Sequence, residues 1–330
     1  MNHVRWGLLS TARINRRLIP AIRASERGQL VAAASRNQAA ADRYAAEWGI
    51  PQAFGSYDAM LNSGAVDAVY IGLPNHLHAE WTIRALQAGV HVLCEKPFAI
   101  TLDQVDAMFA AAAATGRVVA QALMYRHHPQ TRLARTLVAQ GRLGDVTLVR
   151  GVFNFKLQDR GNVRLDPEMG GGCLWDVGIY PLSFAHYILG GPPVQVSGVQ
   201  WIGDSGVDEV FAGQMEYPNG AVAHIASSFH TPFFTSAEIL GTAGRLFLDS
   251  PFLVGVDGRP HQMVLYPADG SPEVIPVPEA DLYVPEVEDM NNAILDGTPP
   301  YLTVGETRDH IRTLLALYEA ARTRQVVTLP

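Results

Sequence analysis

The chain has 330 residues, 48% of them hydrophobic and 17% charged, with a formal net charge of −7. That length supports two domains with real cores, and the acidic balance argues against a nucleic-acid surface, which needs clustered Lys and Arg. No apolar run approaches the ~18 residues of a membrane span, and two cysteines, Cys94 and Cys173, form neither a disulfide framework nor a zinc-ligand spacing.

The opening Met-Asn-His-Val-Arg-Trp-Gly runs straight into a strand with no secretory signal, so a soluble cytoplasmic protein is expected. Val4 to Leu9 reads as that strand. Arg13 to Ala24 carries Ile14, Leu18 and Ile22 on one helical face. Leu30 to Ala34 is a second strand, and Asn37 to Trp48 is a helix closed by Gly49. Val66 to Gly72 is a third strand. Asn75 then caps a helix with Leu77, Trp81, Ala85 and Ala88 on one stripe. Val90 to Cys94 is a fourth strand, Thr101 to Gln104 a capping box for a helix ending at Gly116, and Arg117 to Gln121 a fifth strand. Strands alternating with helices at this spacing predict a parallel, doubly wound sheet over residues 1–122.

The pattern then changes. After a helix over Pro129 to Gln140 come runs rich in Val, Phe and Thr at 145–157, 194–202, 207–217, 221–230, 236–240 and 245–249. Turns such as Tyr217-Pro218-Asn219-Gly220 predict antiparallel pairing. Residues 123–330 therefore read as an α+β domain with a large open sheet. The stretch 251–285, with seven prolines, reads as its loosest part. Two helices close the chain, over Pro285 to Leu295 and from the capping box Thr303 to Glu306 onward, and the last of them (304–323) can pack back on the first domain.

Chemistry concentrates at the strand ends, where ligands bind in an open α/β sheet. Glu95-Lys96-Pro97 ends the fourth strand, and a lysine there can polarise an oxygen or relay a proton. Gly7, Ser10, Thr11, Ala12, Arg13 and Ile14 join the first strand to the first helix. Their small residues let a pyrophosphate approach the helix N-terminus, although the full glycine fingerprint is absent. The short basic cluster Arg13 to Arg17 reads as a solvated or cofactor-facing helix face. Ser35-Arg36 ends the second strand; a hydroxyl followed by arginine favours NADP over NAD, where an acid would favour NAD. Leu73, Pro74, Asn75 and His78 end the third strand on the same side. His76 and His78 sit two apart on a helix, which points them away from each other, so no metal is expected. Gly170-Gly171-Gly172 precede Asp176 and Tyr180, which lie four apart, so a helix would put an acid and a phenol on one face.

Glu95-Lys96-Pro97, Pro74-Asn75-His76-Leu77-His78 and Gly170 to Tyr180, in this order, resemble the glucose–fructose oxidoreductase / inositol dehydrogenase / rhizopine-catabolism family along the whole chain. The resemblance implies a Rossmann domain followed by a large open antiparallel sheet, a Lys96–Pro97 bond that is often cis, and a homodimer or homotetramer built through that sheet. It makes Lys96 the catalytic lysine, Tyr180 the acid/base group and Asp176 a neighbour of the substrate. The common family pattern has His where Tyr180 stands and Asp where Ser183 stands. The tyrosine form resembles the branch of NADP-dependent xylose dehydrogenase and dihydrodiol dehydrogenase, and with Met124 to Pro129 it brings Arg126 near the cofactor. Phe153, Asn154, Phe155, Trp175 and His230 are the expected substrate-side residues. The function so implied is hydride transfer between NADP and a sugar, as aldose C1 oxidation. Ketosugar reduction, trans-dihydrodiol oxidation and a non-catalytic NADP sensor are the alternatives.

Overall fold

The computed structural model describes residues 2–255 and 262–330. Its described residues fall into two compact units. The first runs to Met124 and takes up Tyr283–Arg308; the second comprises Tyr125–Leu282 and Asp309–Pro330.

In the first unit, strands β1 (Val4–Leu9), β2 (Gly28–Ala34), β3 (Gln52–Phe54), β4 (Ala68–Ile71), β5 (His91–Glu95) and β6 (Val119–Ala122) alternate with helices. The helices are α1 (Asn15–Ala24), α2 (Gln38–Trp48), α3 (Tyr57–Leu61), α4 (His78–Gln87) and α5 (Leu102–Thr115). The sheet is parallel in the order β3-β2-β1-β4-β5-β6. The central strands β1 and β4 are buried apart from Arg5, as helices on both faces require. The strand order reverses between β1 and β4, so the crevice for a ligand opens at their carboxyl ends. The sequence reading passed over β3 and α3. Both are short, and the helix is started by Ser56, which accepts from the Ala59 N–H at 3.1 Å.

Asn75 does not cap a helix: Asn75–Leu77 form a 3₁₀ turn and α4 begins at His78. Helix α8 (Val284–Asp296), though late in sequence, belongs to this first unit, where Asn291 Oδ1 accepts from the buried Trp6 indole at 2.9 Å. A strictly sequential boundary at residue 122 could not include it.

In the second unit, α6 (Pro129–Ala139) leads into β7 (Val146–Asn154), a π-helical turn (Leu174–Gly178) and α7 (Ile179–Leu189). Strands β8 (Gln195–Ile202), β9 (Asp208–Glu216), β10 (Val222–Ser228), β11 (Phe234–Gly241) and β12 (Gly244–Asp249) follow. With β13 (Met263–Pro267), β14 (Glu273–Ile275) and β15 (Val327–Thr328) they form a nine-stranded sheet in the order β14-β13-β12-β11-β7-β10-β9-β8-β15. It is antiparallel except for the central β7–β10 pair. One face of β7 (Val149, Gly151, Phe153) is buried beneath α7; a Cβ at Gly151 would come within 2.6 Å of Pro181 Cβ. The other face exposes Arg150, and on β8 it exposes Val199 and Trp201. The proline-rich stretch is more ordered than its composition suggests, since it supplies β13 and β14; its residues 256–261 lie outside the described residues. Helix α9 (Val304–Thr323) divides: its first turn belongs to the first unit, where Arg308 pairs with Asp106 at 2.8 Å, and the remainder to the second.

Candidate active site

In the first unit the strand ends carry two sets of residues. The first set is suited to a dinucleotide. Gly7 is closely packed: a Cβ there would stand 2.9 Å from Val66 Cγ1. Ser10 is held at φ 137°, a conformation that costs a side-chain-bearing residue about 1–3 kcal/mol. Its hydroxyl donates to the Gly72 carbonyl at 3.2 Å and accepts from the Ala12 N–H at 3.3 Å. Asn15, buried and not singled out by any sequence motif, donates to the Ser10 carbonyl at 2.8 Å. Thr11 and Arg13 are exposed, Ala12 and Ile14 half-buried, and no acid occupies the first turn of α1. An open helix N-terminus with small, crowded neighbours fits a pyrophosphate. At the end of β2, Ser35 is half-buried and Arg36 exposed; Arg36 enters no ion pair among the described residues. With no acid at this strand end, the pair fits a 2′-phosphate.

The second set surrounds the lysine. Lys96 is half-buried, and its N–H donates to Glu95 Oε2 at 3.1 Å. The Lys96–Pro97 bond is cis. Glu95 also accepts from the Tyr70 hydroxyl. Burial first, then Glu95, push the Tyr70 phenol well up, so it stays a donor. Behind them Glu286 of α8 is buried, and burial followed by Glu95 raises it far above the carboxylate range. Burial and the neighbouring Glu95 thus disfavour a charge on Glu286. His78 faces the Leu73 carbonyl with Nε2 and the Pro97 carbonyl with Nδ1, each at 2.8 Å, and is fully buried. Burial depresses its pKa. Its ring therefore ties two backbone loops together, while Leu73, Pro74 and Asn75 form the loop itself. Among the described residues no cluster of His, Cys, Asp and Glu could hold a metal.

In the second unit, the glycine run and the π-helical turn present Asp176 and Tyr180. Gly171 has no room for a Cβ, which would lie 2.6 Å from the Arg164 carbonyl. Gly178 would meet Leu174 at 2.7 Å. Asp176 is largely buried and receives Arg164 Nε at 2.7 Å. Tyr180 is 5% exposed, with its ring 5.2 Å from Phe153, 5.7 Å from Tyr125 and 5.9 Å from Phe252. Ser183, where the common pattern has an acid, is fully buried; its hydroxyl donates to the Tyr180 carbonyl at 3.0 Å and shares a 2.6 Å hydrogen bond with Tyr125. The substitution fixes the turn that carries the tyrosine.

The other residues expected at the substrate or cofactor are dispersed. Trp175 packs 5.4 Å from Tyr318, Phe155 lies 5.2 Å from Phe229, and His230 pairs with Glu209 at 2.7 Å. Asn154 Oδ1 is buried without a hydrogen-bond partner. Arg126 is 1% exposed with its guanidinium 4.0 Å from the Tyr187 ring. Arg164 and Tyr318 carried no sequence signal, because each reaches its partner only through the fold.

Comparison with known proteins brings these features together. Residues 4–123 match the family described as oxidoreductase, NAD-binding Rossmann fold, and residues 131–247 match the GFO/IDH/MocA C-terminal domain. A D-xylose 1-dehydrogenase (NADP⁺) of Haloferax volcanii is 40% identical over 98% of this chain and 99% of its own length. An aldose–aldose oxidoreductase of Caulobacter crescentus superimposes with a TM-score of 0.91 at 28% identity, covering 99% of this chain and all of its own. The 3-ketoreductase KijD10 of Actinomadura kijaniata, solved with NADP and TDP-benzene, gives 0.89 at 28% identity over 97% of this chain and 98% of its own. Variants of that reductase with a lysine or a tyrosine replaced have also been solved. The chain is a member of the GFO/IDH/MocA family of oxidoreductases.

Proposed function

We propose that this protein is an NADP-dependent dehydrogenase that oxidises an aldose at C1, with Lys96, Asp176 and Tyr180 acting on the sugar. The observation that carries the reading is the lysine–tyrosine pair. It occurs in a chain 40% identical to a D-xylose dehydrogenase, and the lysine and tyrosine replaced in the 3-ketoreductase variants are separated in sequence by the same number of residues as Lys96 and Tyr180. Gly7, Ser10 to Ile14, Leu73, Pro74, Asn75, Glu95 and Pro97 line the dinucleotide in this reading, with Ser35 and Arg36 on the 2′-phosphate. His78 contributes by holding Leu73 and Pro97 in place, and Arg126, which lies over Tyr187, is also read as a cofactor residue. Bound NADP supplies the hydride acceptor at nicotinamide C4.

Tyr180 accepts the proton of the C1 hydroxyl while the C1 hydrogen leaves with its electron pair, turning the C1–O single bond into the carbonyl of a lactone. Lys96 donates a hydrogen bond to that oxygen and steadies its developing charge. Asp176, its own charge offset by Arg164, orients a neighbouring hydroxyl. The aromatic wall of Tyr125, Phe153 and Phe252 keeps water from the phenol.

Hydride transfer in the opposite sense at a secondary carbon, reduction of a ketosugar with Tyr180 as proton donor, is the second reading and is favoured by the likeness to the 3-ketoreductase. We also read the protein as cytoplasmic, and as a homodimer or homotetramer formed through the sheet face that exposes Val199 and Trp201. No helix among the described residues is long and apolar enough to cross a membrane. The test is absorbance of reduced cofactor with NADP⁺ or NAD⁺ over aldoses, inositols and a trans-dihydrodiol, with a ketosugar and NADPH in reverse. Aldose turnover with NADP⁺ supports the reading. Tight NADP⁺ binding with no turnover in either direction would move the weight to a sensor. Light scattering that gives a monomer removes the oligomer.

A further inference from the structure

One buried carboxylate lies outside this chemistry but reaches the segment that performs it. Asp208, the first residue of β9, is 2% exposed. Its Oδ2 accepts from the Leu174 N–H at 2.8 Å and from the Cys173 thiol at 3.1 Å, and its Oδ1 accepts from the Tyr318 hydroxyl of α9 at 2.8 Å. Leu174 opens the π-helical turn, and no local side chain caps that end of the helix. The exposed N–H groups of a helix start need an acceptor, and a negative charge there is favoured by the helix dipole. Asp208 meets both needs from a strand more than thirty residues away in sequence.

Gly172 shows how tightly this acceptor is fitted. It holds φ 131°, and a Cβ on it would collide with Asp208 Oδ1 and lie 2.7 Å from the Tyr318 hydroxyl. Its own carbonyl accepts from the Asp176 N–H at 3.1 Å. The third glycine of the run is therefore the gap through which the carboxylate reaches the turn. The Tyr318 ring also packs against Trp175 and Phe211, at 5.4 and 5.8 Å, so the hydroxyl that fixes Oδ1 is itself held.

We infer that Asp208, fixed by Tyr318, is a positioning residue: it clamps the start of the π-helical turn and so sets the placement of Asp176 and Tyr180. The inference rests on the assignment of those two residues to the reaction. Asp208 touches neither the substrate nor the cofactor in it. Its influence runs through the Leu174 and Cys173 donors and the helical turn that follows them.

The test uses the full-length protein with NADP⁺ and D-xylose. Asp208→Asn keeps the shape but loses the charge and one acceptor; kcat is expected to fall about 10- to 100-fold, while the NADP⁺ dissociation constant changes by less than about twofold. Added to Tyr180→Phe, it is expected to cost no more than about a further twofold, since the two act through one element. Hydrogen exchange gives a readout independent of turnover: the amides of Leu174 and Asp176 should exchange about tenfold faster in Asp208→Asn, with those of β12 unchanged. Tyr318→Phe, which keeps the carboxylate, should show the same changes on a smaller scale and carries the test if Asp208→Asn does not fold. Wild-type kcat with unchanged exchange at residues 174–176 overturns the inference, as does a loss that multiplies in full with that of Tyr180→Phe. If Tyr180→Phe alone keeps full turnover, the proposed reaction role fails instead, and the exchange measurement still judges Asp208.

Discussion

Lys96 stands at the end of a parallel strand whose place is set by hydrogen-bonded neighbours on both sides, β4 and β6. Tyr180 stands on a helical segment whose first N–H group finds its acceptor on β9, far away in the chain. The first arrangement is generic. Any doubly wound sheet delivers its strand ends to the crevice, so a lysine placed there is positioned by topology alone. The second is specific to this chain: three glycines, a π-helical turn, a buried carboxylate and a tyrosine from α9 all fit together. The contrast teaches that one member of the proposed lysine–tyrosine pair can be inherited from a fold while the other has to be built by individual contacts.

The largest effect tests both members at once. Lys96→Ala and Tyr180→Phe should each lower kcat by about 10²- to 10⁴-fold, the usual worth of a positioned acid, base or charge stabiliser. Steady-state rates, with NADP⁺ binding followed by fluorescence, check this; a loss confined to KM in either variant would break the comparison.

Next is the glycine that admits the clamp. Gly172→Ala puts a methyl group where the Asp208 carboxylate sits, on a backbone that a side chain rarely adopts. We expect loss of soluble protein or a melting temperature lowered by about 5 °C or more, corresponding to more than about 1 kcal/mol. Gly116→Ala, just past the end of α5, is the first-unit control: it also has positive φ but nothing within 4 Å of its Cβ, so it should cost less.

Smaller still is the effect expected at the end of β2. Arg36→Ala should weaken NADP⁺ about tenfold, the worth of one charge-assisted contact, and leave NAD⁺ unchanged. Equal losses for both cofactors would mean Arg36 does not meet the 2′-phosphate.

The smallest effect is on stability against pH. Hydrogen bonds from Arg160, more than those from His230 and Ser205 and against the opposing effect of burial, hold Glu209 down to about 2. A carboxylate depressed in the folded state stabilises it above the ordinary value of 4.5, and that stabilisation is lost as pH falls from there toward about 2. Glu209→Gln should therefore flatten the decline of melting temperature across that window. A decline as steep as that of the natural protein would show that the Arg160 pair contributes nothing to stability.

The same contrast explains what the sequence revealed. Strands β1, β2, β4, β5 and β6 are apolar runs bounded by turn and cap residues, so hydrophobic pattern locates them within a few residues. Their ends carry Ser35, Arg36, Asn75 and Lys96, which the strand pattern alone marks as candidates. The return of α8 to the first unit was not legible, because its reason is the Trp6–Asn291 hydrogen bond between residues far apart in sequence. Nor were Asp208 and Tyr318. An acid at a strand start and a tyrosine on a helix are ordinary in sequence, and only the fold aims them at Leu174. The glycine run advertised a tight spot without saying what fills it. Strands β13 and β14 were hidden by their prolines, which lie outside the paired positions apart from Pro267 at the strand end.

The His78 ring, held between the Leu73 and Pro97 carbonyls, bears on how these loops move. An imidazole depressed by burial has a single N–H, yet it faces an acceptor on each side. Its heavy atoms act as a ruler, fixing the gap between the loop after β4 and the loop after β5 at the width of one aromatic ring. A tautomer change passes the hydrogen from one carbonyl to the other without displacing either. The loop of Leu73 to Asn75 and the loop that carries Lys96 are thus coupled, so that slack in one is carried over to the other.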